Sequence, residues 1–175
     1  EEARKLAKEL GAYYVDQFNN PGSVLGHLYT TGPEVYNDLN GAINVFVSVV
    51  GSAGTFVGTS KYLKSQNPSI KCVAVEPEKA AILSGKKIED PKHVIQGVGY
   101  GLIPPHWEPS LCDWIEVVSN EEAKEYKVRL AKEEGLYVGY SAAANVCASI
   151  KVLEKLDQEV NVATMLCDHG LKYTN

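Results

Sequence analysis

A chain of 175 residues, with 45% hydrophobic and 22% charged side chains, can bury a real core as one ordinary domain, which excludes disorder and collagen-like structure. Its net charge of −5 and the lack of any basic run argue against a nucleic-acid or anionic-membrane partner. No stretch approaches the roughly 18 consecutive apolar residues of a membrane helix.

In chain order, Glu1 to Leu10 carries Leu6, Ala7 and Leu10 at helical spacing among charges and stops at Gly11. It opens without methionine or secretory pattern, as expected of a cytoplasmic chain cut from something longer. Ala12 to Val15 reads as a short strand, and Asp16 to Gly22 as a loop rich in Asn, Pro and Gly. Val24 to Leu39 is helical, interrupted at Thr30-Thr31-Gly32-Pro33, where Pro33 suits the start of a fresh turn. Ile43 to Val50 is a continuous apolar strand, Gly51 to Thr55 a small flexible turn, Phe56 to Gln66 a helix, and Ile70 to Val75 a second buried strand. That succession is a βαβ unit and implies a parallel sheet with a right-handed crossover.

Ala80 to Pro109 is irregular and glycine- and proline-rich, a length of loop that usually has a function. Trp114 to Val118 resumes as a strand. Ser119 and Glu122 form a capping box for a helix running to Glu134 and ending at Gly135. Ser141 to Leu156 is an Ala-rich, closely packed helix, and Val160 to Leu166 a last buried strand. The expected fold is a single α/β domain: a doubly wound, mostly parallel sheet with helices on both faces.

Four places could carry chemistry. Gly51-Ser52-Ala53-Gly54-Thr55 joins a buried strand to a helix N-terminus, where free backbone N–H groups and the helix dipole favour an anion and Ser52 and Thr55 add hydroxyls. The alternative is a plain tight turn. No Gly-Lys-Ser/Thr follows, so a nucleotide P-loop is not expected. The glycines of Gly97-Val98-Gly99-Tyr100-Gly101 permit positive φ and close approach to a flat ligand, or simply an irregular loop. In Gly139-Tyr140-Ser141 the hydroxyl either caps a helix or bonds a cofactor ring nitrogen. Asp168-His169-Gly170 follows the final strand, where His169 is a base or merely structural. His27, His93 and His106 lack metal-ligand spacing and read as ordinary. Cys72, Cys112, Cys147 and Cys167 read as buried, reduced thiols, with no metal site.

The ordered set resembles the second half of the cysteine synthases (O-acetylserine sulfhydrylases) and cystathionine β-synthases, fold-type II pyridoxal-phosphate enzymes. Gln17-Phe18-Asn19-Asn20-Pro21 is similar to their QF-x-NP segment and Thr30-Thr31-Gly32-Pro33-Glu34 to TTGPEI. Gly51 to Thr55 stands where they have GTGGT, Gln96 to Pro104 resembles QGIGAGFIP, Gly139-Tyr140-Ser141 resembles GISSG, and Asp168 to Tyr173 resembles DSGERY.

The resemblance implies a pyridoxal 5'-phosphate site. Gly51, Ser52, Ala53, Gly54 and Thr55 would hold its phosphate, with Gly97 and Gly99 on the ring face. Ser141 would sit at the pyridine nitrogen, Asp168 and His169 near it, and Gln17 and Tyr100 on the substrate side. A neutral hydroxyl at the ring nitrogen makes a weaker electron sink than an aspartate would, favouring β-elimination through an aminoacrylate. The implied reaction makes cysteine from O-acetylserine and sulfide in a cytoplasmic homodimer acting on a small amino acid. Cystathionine β-synthase, cyanoalanine synthase, and lanthionine- or sulfide-forming activities remain open; by the resemblance Tyr100 leans toward the first of these, while Gln96 and Thr30 to Glu34 lean toward cysteine synthases.

Residues 1–175 would then be the C-terminal domain. Ala53 and Ala143 replace family glycines and His169 a serine. The SVKDR-like segment with the Schiff-base lysine and the TSGNTG-like substrate loop do not occur, so no catalytic residue is assigned and the chain alone is expected to be inactive. The rival from another class is a non-catalytic binding or sensing paralogue.

Overall fold

The computed structural model describes residues 2–88, 92–156 and 159–173. The helical start at Glu1 and the loop position of Pro91 lie outside the described residues. Four strands form one parallel sheet in the order β3-β2-β1-β4: β1 is Val45–Val49, β2 Lys71–Pro77, β3 Trp114–Val118 and β4 Val162–Thr164.

Alternation along β1 sends its side chains to two separate cores. Val45, Val47 and Val49 pack with Val73, Val75, Ala144, Cys147 and Val152 on one face; Phe46 and Val50 pack with Phe56, Val57, Leu63 and Cys72 on the other. Both faces of β1 are buried, which is why its sequence is an unbroken apolar run rather than an alternation. Helices α5 (Asn120–Glu133) and α6 (Tyr140–Leu156) cover the first face, and α4 (Gly54–Gln66) the second, with α2 (Gly22–Tyr29) and α3 (Thr31–Asp38) behind it. The doubly wound sheet read from the sequence is the one observed.

Local chemistry sets the element ends. The Ser119 hydroxyl accepts from Glu122 N at 3.2 Å while Ser119 N donates to Glu122 Oε2 at 2.8 Å, closing the capping box that starts α5. Past its other end, Gly135 turns at φ +70° and Leu136 N reaches back to Leu130 O at 2.9 Å. The interruption expected within 24–39 is there: α2 and α3 part at Thr30, whose hydroxyl donates to Gly26 O at 2.8 Å.

Two expected strands change. Ala12 to Val15 forms none: among the described residues no neighbouring strand offers a ladder, and Tyr13 is 81% and Val15 59% exposed. The last strand shortens to Val162–Thr164, because its pairing with β1 ends at Val47↔Thr164. α1 (Glu2–Leu10) is amphipathic, yet none of its residues is buried.

Candidate functional site

From β1 the chain moves outward through β2 to β3, then crosses the opposite face on α5 and α6 and returns beside β1 as β4. The strand order therefore reverses between β1 and β4, and in an open α/β sheet ligands sit at the carboxyl ends of the strands flanking such a reversal. Here β1 and β4 part company, and Asn145 of α6 fills the gap. Val49 N donates to Asn145 Oδ1 at 2.7 Å, and Asn145 Nδ2 donates to Met165 O at 2.8 Å. The side chain is fully buried and satisfies backbone groups that the strands no longer satisfy for each other.

Above it lies a cleft of about 240 Å³ lined by Val49 and the Gly51–Phe56 turn, by Gln96 to Val98, by Ser141 and Cys167, and by Gln17. None of these residues carries a formal charge, so an anion there would be held by N–H groups, hydroxyls and the α4 dipole alone.

The turn is shaped for that. Ala53 sits at φ +71°, ψ −3°, a left-handed conformation that costs an alanine roughly 1–2 kcal/mol. The first helical bond beyond it runs from Val57 N to Ala53 O at 2.9 Å, so the N–H groups of Gly54, Thr55 and Phe56 precede the ladder, and no side chain caps them. Open N–H donors at a helix N-terminus suit an anion, and a strained residue beside them is common at such turns. At Gly51 a Cβ would lie 2.7 Å from Gly97 O, so the turn and the glycine loop touch backbone to backbone. Gly97, Gly99 and Gly101 all have positive φ, of 83°, 62° and 76°. A phosphate monoester fits this donor set: small, uncharged, and rich in N–H and hydroxyl groups.

Ser141 is 8% exposed and lines the cleft. It is the second residue of α6, and the first bond of that helix runs from Ala143 N to Gly139 O at 3.1 Å. Gly139 therefore stands at the cap, and the capping role considered for Ser141 does not apply.

Among the other residues singled out in the sequence, Gln17 lies on the rim, exposed. Gly99 and Tyr100 line a narrow crevice beside the cleft, with the Tyr100 ring edge-on to Phe18 at 5.4 Å, tying the Gln17 segment to the glycine loop. Asp168 and His169 do not line the cleft. The Asp168 carboxylate lies beneath Gly139, where a Cβ would be 2.1 Å from its Oδ1, and accepts from the Tyr173 hydroxyl. His169 is exposed, its Nδ1 3.2 Å from Leu171 N and its ring edge-on to Tyr137.

Two residues passed over in the sequence stand at the site. Asn145 is a polar residue on the Ala-rich face of α6, which is a signal for it. His27 reaches Thr55 Oγ1 at 3.0 Å, and burial pulls its pKa below the ordinary histidine value. With its partner 28 positions along the chain, nothing local in the sequence marked it. Of the four thiols expected to be buried, Cys112 is half-buried and Cys167 is exposed, at the open end of the strands where it lines the cleft.

The model of the family described as pyridoxal-phosphate dependent enzyme matches residues 1–168. Cysteine synthase of Staphylococcus aureus (strain Mu50) is 38% identical over 172 residues, 98% of this chain but 55% of that protein. The solved structure of O-acetyl serine sulfhydrylase isoform 3 from Entamoeba histolytica superposes with a TM-score of 0.92 at 32% identity, covering 99% of this chain and 52% of that one. O-acetylserine dependent cystathionine beta-synthase from Helicobacter pylori gives 0.92 at 36%, covering 99% and 56%. The chain thus spans about half the length of the relatives it matches.

Proposed function

The chain belongs to the pyridoxal-phosphate dependent enzyme family, and from that premise we propose that it is the phosphate- and ring-nitrogen-binding part of a β-replacement enzyme. The reaction is the synthesis of cysteine from O-acetylserine and sulfide. The observation that carries this reading is the uncharged, donor-lined cleft at the reversal of strand order, with Ser141 in its wall.

The amides of the Gly51–Thr55 turn and the hydroxyls of Ser52 and Thr55 would hold the cofactor phosphate. Gln96 to Gly99 would border the ring, and Ser141 would meet the ring nitrogen. When bound, pyridoxal phosphate supplies the electron sink that lets a β-substituent leave an amino acid. Ser141 moderates that sink, because a neutral hydroxyl does not keep a proton on the nitrogen as a carboxylate would. Gln17 on the rim and the exposed Tyr100 would stand on the substrate side. The lysine that anchors the cofactor is contributed by sequence outside these 175 residues, in a cytoplasmic homodimer.

Tyr100 keeps a cystathionine β-synthase reaction as the nearest alternative. A non-catalytic binding paralogue is favoured by the strained Ala53.

Amide spectra of the chain test the reading. Inorganic phosphate and pyridoxal 5'-phosphate are both expected to shift Gly51 to Thr55, and pyridoxal 5'-phosphate alone to shift Ser141. Absence of shifts at the turn would remove the proposal. Cysteine formation from O-acetylserine, sulfide and cofactor by these residues alone would disprove the divided arrangement.

A further inference from the structure

Between α2, α3 and α4 runs a chain of three side chains, of which the reading above gives a role to Thr55 but none to His27 or Thr31. His27 Nδ1 is 2.9 Å from Thr31 Oγ1, and His27 Nε2 is 3.0 Å from Thr55 Oγ1. Thr31 opens α3, His27 lies in the last turn of α2, and Thr55 is the second residue of α4 and lines the cleft. The contact is built in by a close helix crossing. A Cβ on Gly58 would lie 2.3 Å from Val24 O and 2.8 Å from His27 Cβ, so only a glycine lets α2 bring the imidazole against the first turn of α4.

We propose that His27 is a positioning residue that turns the Thr55 hydroxyl proton into the cleft, with Thr31 setting the imidazole tautomer that allows it. The inference rests on the phosphate-binding reading of the cleft. A threonine hydroxyl has one proton and two lone pairs, and a neutral imidazole one donor and one acceptor nitrogen. Two arrangements satisfy the chain. In one, Thr31 O–H donates to Nδ1, Nε2–H donates to Thr55 Oγ1, and the Thr55 proton is free for a ligand. In the other, Thr55 donates to Nε2, Nδ1–H donates to Thr31, and Thr55 presents only a lone pair to the cleft.

A phosphate oxygen is repelled by the second arrangement and bound by the first, so an anion selects the Nε2–H tautomer. The tautomer at one nitrogen is set by the bond at the other, and that bond is to Thr31. Burial lowers the pKa of His27, which keeps the ring neutral and the choice of tautomer meaningful at ordinary pH. This gives the Thr30-Thr31-Gly32-Pro33 segment a function that its sequence did not suggest: its second threonine reaches the cleft through a histidine.

The test measures inorganic phosphate affinity from the amide shifts of Gly51 to Thr55, together with imidazole nitrogen shifts of His27, in the full chain. His27→Leu is expected to weaken phosphate about tenfold, the worth of one hydrogen bond to a charged group. His27→Gln, whose amide nitrogen can donate in place of Nε2, is expected to stay within about threefold of wild type, and Thr31→Val to fall between. The wild-type ring is expected to carry its proton on Nε2 when phosphate is bound.

Equal affinity in the Leu and wild-type chains, equal loss in the Leu and Gln chains, or an Nδ1–H ring in the bound state would each overturn the proposal. If the Leu variant does not fold, the Thr31→Val affinity and the wild-type ring shifts decide. Wild type failing to bind phosphate at the turn would defeat the cleft reading itself. Binding that ignores His27 would defeat only the positioning role.

Discussion

Gly139, and not Ser141, precedes the first turn of α6, so removing the Ser141 hydroxyl deprives no helix N–H of its partner. Alanine at a second helical position is at least as favourable as serine. Ser141→Ala is therefore expected to melt within about 2 °C of wild type, since 1 kcal/mol shifts a chain of this size by only about 2–4 °C. The same variant should bind inorganic phosphate normally and pyridoxal 5'-phosphate more weakly; a fall in both would place Ser141 at the phosphate instead of the ring nitrogen.

Ala53 is a different kind of residue. Its left-handed backbone costs roughly 1–2 kcal/mol, but its methyl is buried with Phe46 and Phe56, worth about 0.8 kcal/mol, and glycine would lose further chain entropy. These contributions nearly cancel, so Ala53→Gly is expected to stay within about 1 kcal/mol of wild type. Ala53→Val should lose about 2 kcal/mol or more, because a β-branched residue at positive φ has no relaxed conformation. A valine chain as stable as wild type in urea would show that the turn is not held left-handed.

Elements with their own local signals were legible in the sequence. The Ser119–Glu122 box and Gly135 bracket α5, and the apolar run with its small turn and helix gives β1 and α4 to within two residues at their ends. What failed was decided by partners distant in sequence. Ala12 to Val15 had strand-like residues but no ladder to join, and β4 is cut short where it parts from β1. The donor-lined turn was legible because its residues are contiguous, whereas His27 and Asn145 act only through α4, β1 and β4. Asn145 shows what the parting costs. Asn145→Leu would leave Val49 N–H and the Met165 carbonyl buried without partners, at roughly 1–3 kcal/mol each. A loss of about 2–5 kcal/mol in urea unfolding is expected, with the amides of Gly51 to Thr55 broadened as the strand end loosens. A loss below about 1 kcal/mol would mean that water replaces the side chain.

At the scale of the whole molecule, two carboxylates tie the layers together and set the response to acid. Asp113 accepts from Lys64 Nζ and Cys72 N at 2.8 Å and from Lys71 Nζ at 3.0 Å, joining the end of α4, the start of β2 and the approach to β3. Burial raises its pKa, but Lys64, the Cys72 amide and Lys71 outweigh that and leave it below the ordinary aspartate value. Glu122 behaves alike: burial raises it, and Lys151 with the Ser119 amide and hydroxyl brings it below the usual glutamate value, linking α5 to α6. A carboxylate with a depressed folded-state pKa binds fewer protons folded than unfolded, so it stabilises above its unfolded pKa of about 4 and loses that contribution as pH falls through the folded value. Stability should therefore be level from pH 7 to about 5 on their account and decline below about 4. Asp113→Asn still accepts from Cys72 N but gives up both lysines, so a loss of about 1–2 kcal/mol is expected at pH 7, shrinking as the wild-type carboxylate is itself protonated. Urea midpoints taken from pH 7 down to pH 2 distinguish the cases: converging curves place the coupling at Asp113, whereas parallel curves would mean that the asparagine disturbs packing and the charge of Asp113 is incidental to the fold.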